Sequence, residues 1–236
     1  MESAVDVGGA LALAALVVVV AAIAVGDPGL ALPWRWRDLG PAIARGVGGL
    51  DPAATAIVIA AGAAIVAVVG SAALIGDFGG GALTINEEQS LPAYYSAVQL
   101  IVAGIVALGL AALLPEPEPV WPWLLLGVLL VVLGFDEAAE IHERLESRTG
   151  LPAIGVLAPA VLAGLVAFAG IFRRLRETPP ALALFVAGAV AWAISQALDP
   201  IHGVDWKSAL EESLELGGTA LFLLALQRIA RDLSSR

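Results

Sequence analysis

From Leu91 to Pro115 the chain runs without a charged side chain, and comparable uncharged stretches cover 7–26 and 52–76. Runs of this length match the ~20 residues a helix needs to cross a hydrocarbon core about 30 Å thick. Membrane strands would instead alternate polar and apolar residues in segments of about ten. These runs are continuous and rich in Ala, Leu and Gly, so helices are expected. Composition agrees: 14% of residues are charged and mean hydropathy is +0.91, whereas soluble domains are about a quarter charged.

Several chemistries are excluded at once. The chain has no cysteine, which rules out disulfides, thiolate metal sites and cysteine nucleophiles. Two histidines limit imidazole ligation. A net charge of −10 argues against nucleic acid, which needs a basic surface. The start MESAVDV carries acids where a signal peptide would carry a positive n-region, so an uncut first span is expected.

Hydropathy places spans at roughly 8–25, 53–76, 93–114, 120–140, 152–172, 181–198 and 208–228. DPG at 27–29, FGGG at 78–81, PEPEP at 115–119, TG at 149–150, TPP at 178–180 and DP at 199–200 separate them. Residues 34–49 offer a weaker short interfacial helix. The expected fold is an all-α integral membrane protein, a seven-transmembrane-helix bundle forming a single membrane domain over 1–236.

Alternating the connections puts Arg35, Arg37, Arg45, Arg173, Arg174, Arg176, Arg228, Arg231 and Arg236 on one face. Arg144, Arg148 and Lys207 fall on the other. The positive-inside rule then makes the arginine-rich face cytoplasmic, with the N-terminus out and the C-terminus in. Trp34, Trp36, Trp121 and Trp123 fit a cytoplasmic aromatic belt, and Trp206 an outer one. Most acids gather at the outer face, an independent skew because Asp and Glu hardly influence topology.

The segment GFDEAAEIHERLE (134–146) turns acidic before its span is long enough to leave the core. Asp136 lies roughly 22 Å from Trp121, and Glu215 roughly 20 Å from Arg228, if both segments are helical. Ionisable groups at such depth are costly and usually face a protein interior or a wet cavity. On a continuous helix Asp136, Glu140 and Glu143 share about 60° of arc, with His142 pointing about 130° away. His142 is then a lone interfacial group unless the helix frays. Ser208, Glu211, Glu215 and Thr219 form a second stripe with Glu212 beside it, and Gly217 and Gly218 permit close helix approach there. Asp199 and His202, NEEQS at 86–90, and Tyr94, Tyr95, Ser96 and Gln99 bring further polar groups to the same end.

Two readings stay open. Either these acids form a solvated rim, with Glu140–Arg144 an ordinary i,i+4 pair, or they converge on a chamber that binds a cation or handles protons. Carboxylate-rich sites suit Mg, Ca or Mn, while imidazole admits Zn or Fe. In the chamber reading a divalent metal (Mn, Fe, Zn or Ca) is held by Asp136, Glu140, Glu143, Glu211 and Glu215, with His142, His202 and Glu212 as a second tier. Tyr94, Tyr95 and Ser208 line the pocket. Metal-activated water is then the expected chemistry, on a lipid-like or periplasmic substrate, with Glu140 or Glu212 as general base.

The blocks NEEQSLPAYYSAVQL, FDEAAEIHERL and EESLELGGTALFLLAL together resemble a family of bacterial multi-pass inner-membrane proteins. That family combines an acidic loop with Leu-Pro and an aromatic pair, an Asp-Glu…His-Glu helix end and a late Glu-Glu…Glu helix. The resemblance implies the inner membrane and makes the three blocks one feature, but lends no activity. The helix number and the Ser, Asp and His types are also superficially similar to the seven-helix membrane hydrolases that include alkaline ceramidases and progestin/adiponectin receptors. Their zinc rests on three histidines, and this chain has two, so those roles are not carried over.

Expected partners are the lipid bilayer and no nucleic acid. The main rival function is a non-catalytic subunit of a larger respiratory or photosynthetic membrane complex, whose acids would point outward at other subunits. A proton- or cation-coupled transporter would need a second polar path to the inside. None is marked in the sequence.

Overall fold

The computed structural model describes residues 91–151, 153–198 and 206–234, with positions 41, 56, 60–64 and 67. The first expected span, the interfacial segment, most of the second span, the NEEQS loop, Asp199 and His202 lie outside the described residues, as do the side chains of Lys207 and Ser208. Six helices follow in order: α1 (Leu91–Leu113), α2 (Trp121–Ala139), α3 (Ile141–Thr149), α4 (Ala153–Glu177), α5 (Pro179–Leu198) and α6 (Trp206–Ser234). Among the described residues there is no strand.

Local chemistry sets the ends. Pro122 sits in the first turn of α2, where a missing N–H costs nothing because that donor has no intrahelical partner. Pro179 and Pro180 open α5 in the same way. Gly150 closes α3 in the left-handed conformation, and its N–H donates to the Glu146 carbonyl at 2.8 Å. Ala93–Leu113, Trp121–Ala139 and Gly155–Glu177 are long and apolar enough to cross a membrane. Helix α4 outruns the expected 152–172, and α6 the expected 208–228.

Among the described residues, α1 packs on α2, α2 on α4, α4 on α5, α5 on α6 and α6 back on α1, which closes a ring of five. Chain direction alternates around it. An odd ring requires one parallel pair, and here it is α1 with α6. Two antiparallel pairs in the ring are held close by small residues. A Cβ on Gly104 would meet the Gly127 carbonyl at 2.7 Å, and one on Gly134 the Ala97 carbonyl at 2.7 Å, so α1 and α2 nearly touch backbones. Gly188 and Gly218 repeat the arrangement between α5 and α6, which bears out the close approach expected at Gly218.

The ring encloses an apolar core that includes Leu100, Ala107, Trp123, Leu130, Ile171, Phe185, Leu223 and Leu226. Phe168, Phe172, Phe185 and Phe222 run through it as a chain of ring contacts. Beyond one end of the core, the buried Arg174 guanidinium meets Glu177 at 3.0 Å and Glu118 and Asp232 at 3.4 Å each. The Thr178 hydroxyl also donates to Asp232. This cluster ties α4, α6 and the 115–119 turn together at the arginine-rich end. The acids of 136–146 and 211–215 occupy the opposite end.

Candidate functional site

Helix α2 does not run on through the acidic segment. It stops at Ala139, and Glu140 takes left-handed φ 53, ψ 40 while donating its N–H to the Asp136 carbonyl. Only glycine adopts this conformation without a Cβ penalty. Helix α3 then starts in a new direction. Asp136, Glu140 and Glu143 therefore do not share one stripe, which corrects the expectation drawn from a continuous helix.

The break also reverses the reading of His142 as a lone interfacial group. Its backbone N–H donates to Asp136 Oδ1 at 2.8 Å, and its Nδ1 pairs with Asp136 Oδ2 at 2.9 Å. Asp136 thus serves as the cap that the Glu140 side chain does not provide for α3. Glu140 makes only a loose 3.9 Å contact with the exposed Arg144.

Which acids enter the bundle follows from helical phase. Trp123, Leu126, Leu130, Leu133 and Glu137 recur at intervals of three and four on α2, and the first three are buried in the core. They form the inward stripe, and Glu137 is its last member. On α6 the inward stripe is Glu212, Glu215, Thr219, Leu223 and Leu226. On α1 it is Ser96, Gln99, Ala103, Ala107 and Leu110, all buried. Each stripe is apolar through the core and polar at the same end.

These polar ends meet. Glu137 interacts electrostatically with Glu215, Glu212 and Asp136, and Glu212 with Glu215 and Glu211. Ser195 of α5, fully buried, donates its hydroxyl to Glu215 Oε1 at 2.8 Å. One turn deeper, Trp192 Nε1 donates to Thr219 Oγ1 at 3.1 Å, above the apolar core. Tyr95 packs against Ala209 and Leu216, bringing the start of α1 to the same level, while Tyr94 is exposed.

Of the expected site residues, Glu212 and Glu215 lie in this interior with Glu211 beside them. Asp136 is engaged by His142, and Glu140 and Glu143 belong to the break and α3. Glu137 was missed, although its heptad spacing from Trp123 and Leu130 was legible. Among the described residues no group of three or more His, Asp or Glu side chains is arranged to hold a metal ion.

Fold and site define an all-helical bundle with membrane-length apolar helices and an acidic interior at one end. The chain belongs to the family described as "Domain of unknown function (DUF8692)", whose model matches residues 52–229. No curated protein and no solved structure matches it.

Proposed function

We propose that this protein binds a divalent cation in the acidic interior of its bundle, at the outer side of a bacterial inner membrane. The observation that carries the reading is the electrostatic coupling of Glu137, Glu212 and Glu215 on inward stripes of α2 and α6, acids that are not gathered into a ligand set in this structure and that a cation would draw together. Carboxylates that converge away from water repel unless a cation or shared protons join them. A dication offsets two such charges.

The inward direction of these acids supports a chamber over an accessory subunit, whose acids would face a partner. Below the acids the interior is apolar from Ala103 and Leu130 to Ile171 and Leu226, which supports a one-sided chamber rather than a transport path. With a cation bound, Glu212 is the first candidate for a general base acting on metal-activated water.

The test is elemental analysis of protein purified in mild detergent without chelator, for wild type and for Glu137→Gln with Glu212→Gln. About one equivalent of Mn, Fe, Zn or Ca per chain is expected in the wild type, and little in the double variant. Metal-free wild type, or unchanged occupancy in a folded double variant, rejects the reading.

A further inference from the structure

Ser96 and Gln99 are only 1% and 4% exposed, yet neither the Ser96 hydroxyl nor the Gln99 amide makes a well-formed hydrogen bond in the protein, the amide engaging only the Tyr95 hydroxyl, loosely. Native structures rarely bury an amide with neither end satisfied, because its desolvation is then uncompensated. Both residues belong to the inward stripe of α1, which continues into the fully buried Ala103 and Ala107.

Their depth follows from contacts on either side. Gly134 of α2 lies against Ala97 and Ile101, so one turn further, Glu137 stands level with Ser96. Tyr95 packs on Ala209 and Leu216 of α6, which bracket Glu212 and Glu215. Ser96 therefore stands level with the three carboxylates on the inward stripe of α1, with Gln99 one turn deeper beside Tyr95. Among those carboxylates Glu212 Oε2 is also buried and without a partner.

We infer that Ser96 and Gln99 complete the chamber as ligands, making it an oxygen-donor site for a hard dication of the calcium, magnesium or manganese class. This rests on the cation reading above and adds the third wall and the class of ion. The described groups of the chamber offer carboxylate, hydroxyl and amide oxygens. His142 is held by Asp136 at the α2–α3 break, away from the inward stripe. Hard cations take six or more oxygen ligands, including side-chain carbonyls and waters, whereas nitrogen donors favour zinc and iron. The Gln99 amide N–H lies toward the Tyr95 hydroxyl, which leaves its carbonyl oxygen as the ligating atom.

The test uses the full chain in mild detergent, stripped with chelator and titrated with Mn²⁺ by electron paramagnetic resonance, then challenged with Ca²⁺. The expected result is Mn²⁺ binding that Ca²⁺ reverses. Gln99→Leu should weaken Mn²⁺ binding by about tenfold or more, a loss typical of disturbed ligation. The same substitution should raise the melting temperature of the metal-free protein, because an unsatisfied amide is replaced by an apolar group. Ser96→Ala provides a smaller second perturbation in the same direction. If the wild type binds Mn²⁺ but Ca²⁺ in hundredfold excess fails to displace it, or both variants bind as the wild type does, the oxygen-site inference is overturned while the cation reading stands. If the wild type binds no Mn²⁺, the oxygen-site inference falls, and the cation reading falls with it when the chelator-free preparation also carries no Fe, Zn or Ca.

Discussion

Replacing Gly104 by alanine tests the contact that positions two walls of the chamber. A Cβ there would sit 2.6 Å from Val131 Cγ2, 2.7 Å from the Gly127 carbonyl and 2.9 Å from the Val131 amide nitrogen. A valine methyl can swing aside, but the other two atoms are backbone, so α2 as a whole must retreat. Overpacking of this kind costs about 1–3 kcal/mol. Alanine also recovers up to about 1 kcal/mol of helix propensity, which would mask part of the loss. Gly109 on the same helix supplies the control, because a Cβ there meets nothing within 4 Å. Propensity cancels between the two variants, so Gly104→Ala should be less stable than Gly109→Ala by the packing cost alone, about 1–3 kcal/mol. Gly127→Ala addresses the same contact and should combine with Gly104→Ala non-additively. Reversible unfolding in mixed micelles, followed by far-ultraviolet circular dichroism, measures these differences. Equal stability of the Gly104 and Gly109 variants would refute the close α1–α2 approach, and with it the depth match between Ser96 and Glu137.

Two further substitutions probe the α2–α3 break. Glu140→Gly removes the Cβ penalty at φ 53 and should stabilise by about 1 kcal/mol, since the loose, exposed contact to Arg144 contributes little. Bound metal should be unaffected, so its loss in this variant would return Glu140 to the ligand set. Asp136→Ala deprives both the His142 N–H and its ring of their acceptor. Amide hydrogen exchange at the start of α3 should then accelerate by roughly tenfold, the equivalent of about 1.4 kcal/mol of lost protection. Unchanged exchange would show that Asp136 does not cap α3.

Much of the architecture is legible in the sequence because apolar length and breaker residues act locally. The spans expected at 93–114 and 120–140 lie within two residues of α1 and α2. Pro179 and Pro180 mark the start of α5 because proline cannot donate an N–H within a helix. The concentration of acids at one end of the bundle, opposite the Arg174 cluster, also follows from the order of segments along the chain.

Which acids form the site did not follow. Asp136 and Glu137 are adjacent, chemically similar and about 100° apart on the helix. Only the packing of α2 between α1 and α4 turns Glu137 inward and leaves Asp136 for His142. The chain break at Glu140 was hidden for a related reason: glutamate is an ordinary helix former, and its left-handed backbone has no local sequence signal. The helical periods and the polar character of their ends were determined by the sequence itself. The inward face of each helix, and hence the meeting of Glu137, Glu212 and Glu215 beside Ser96 and Gln99, was decided by the closure of five helices into a ring, because direction around a helix acquires meaning only from what packs against it.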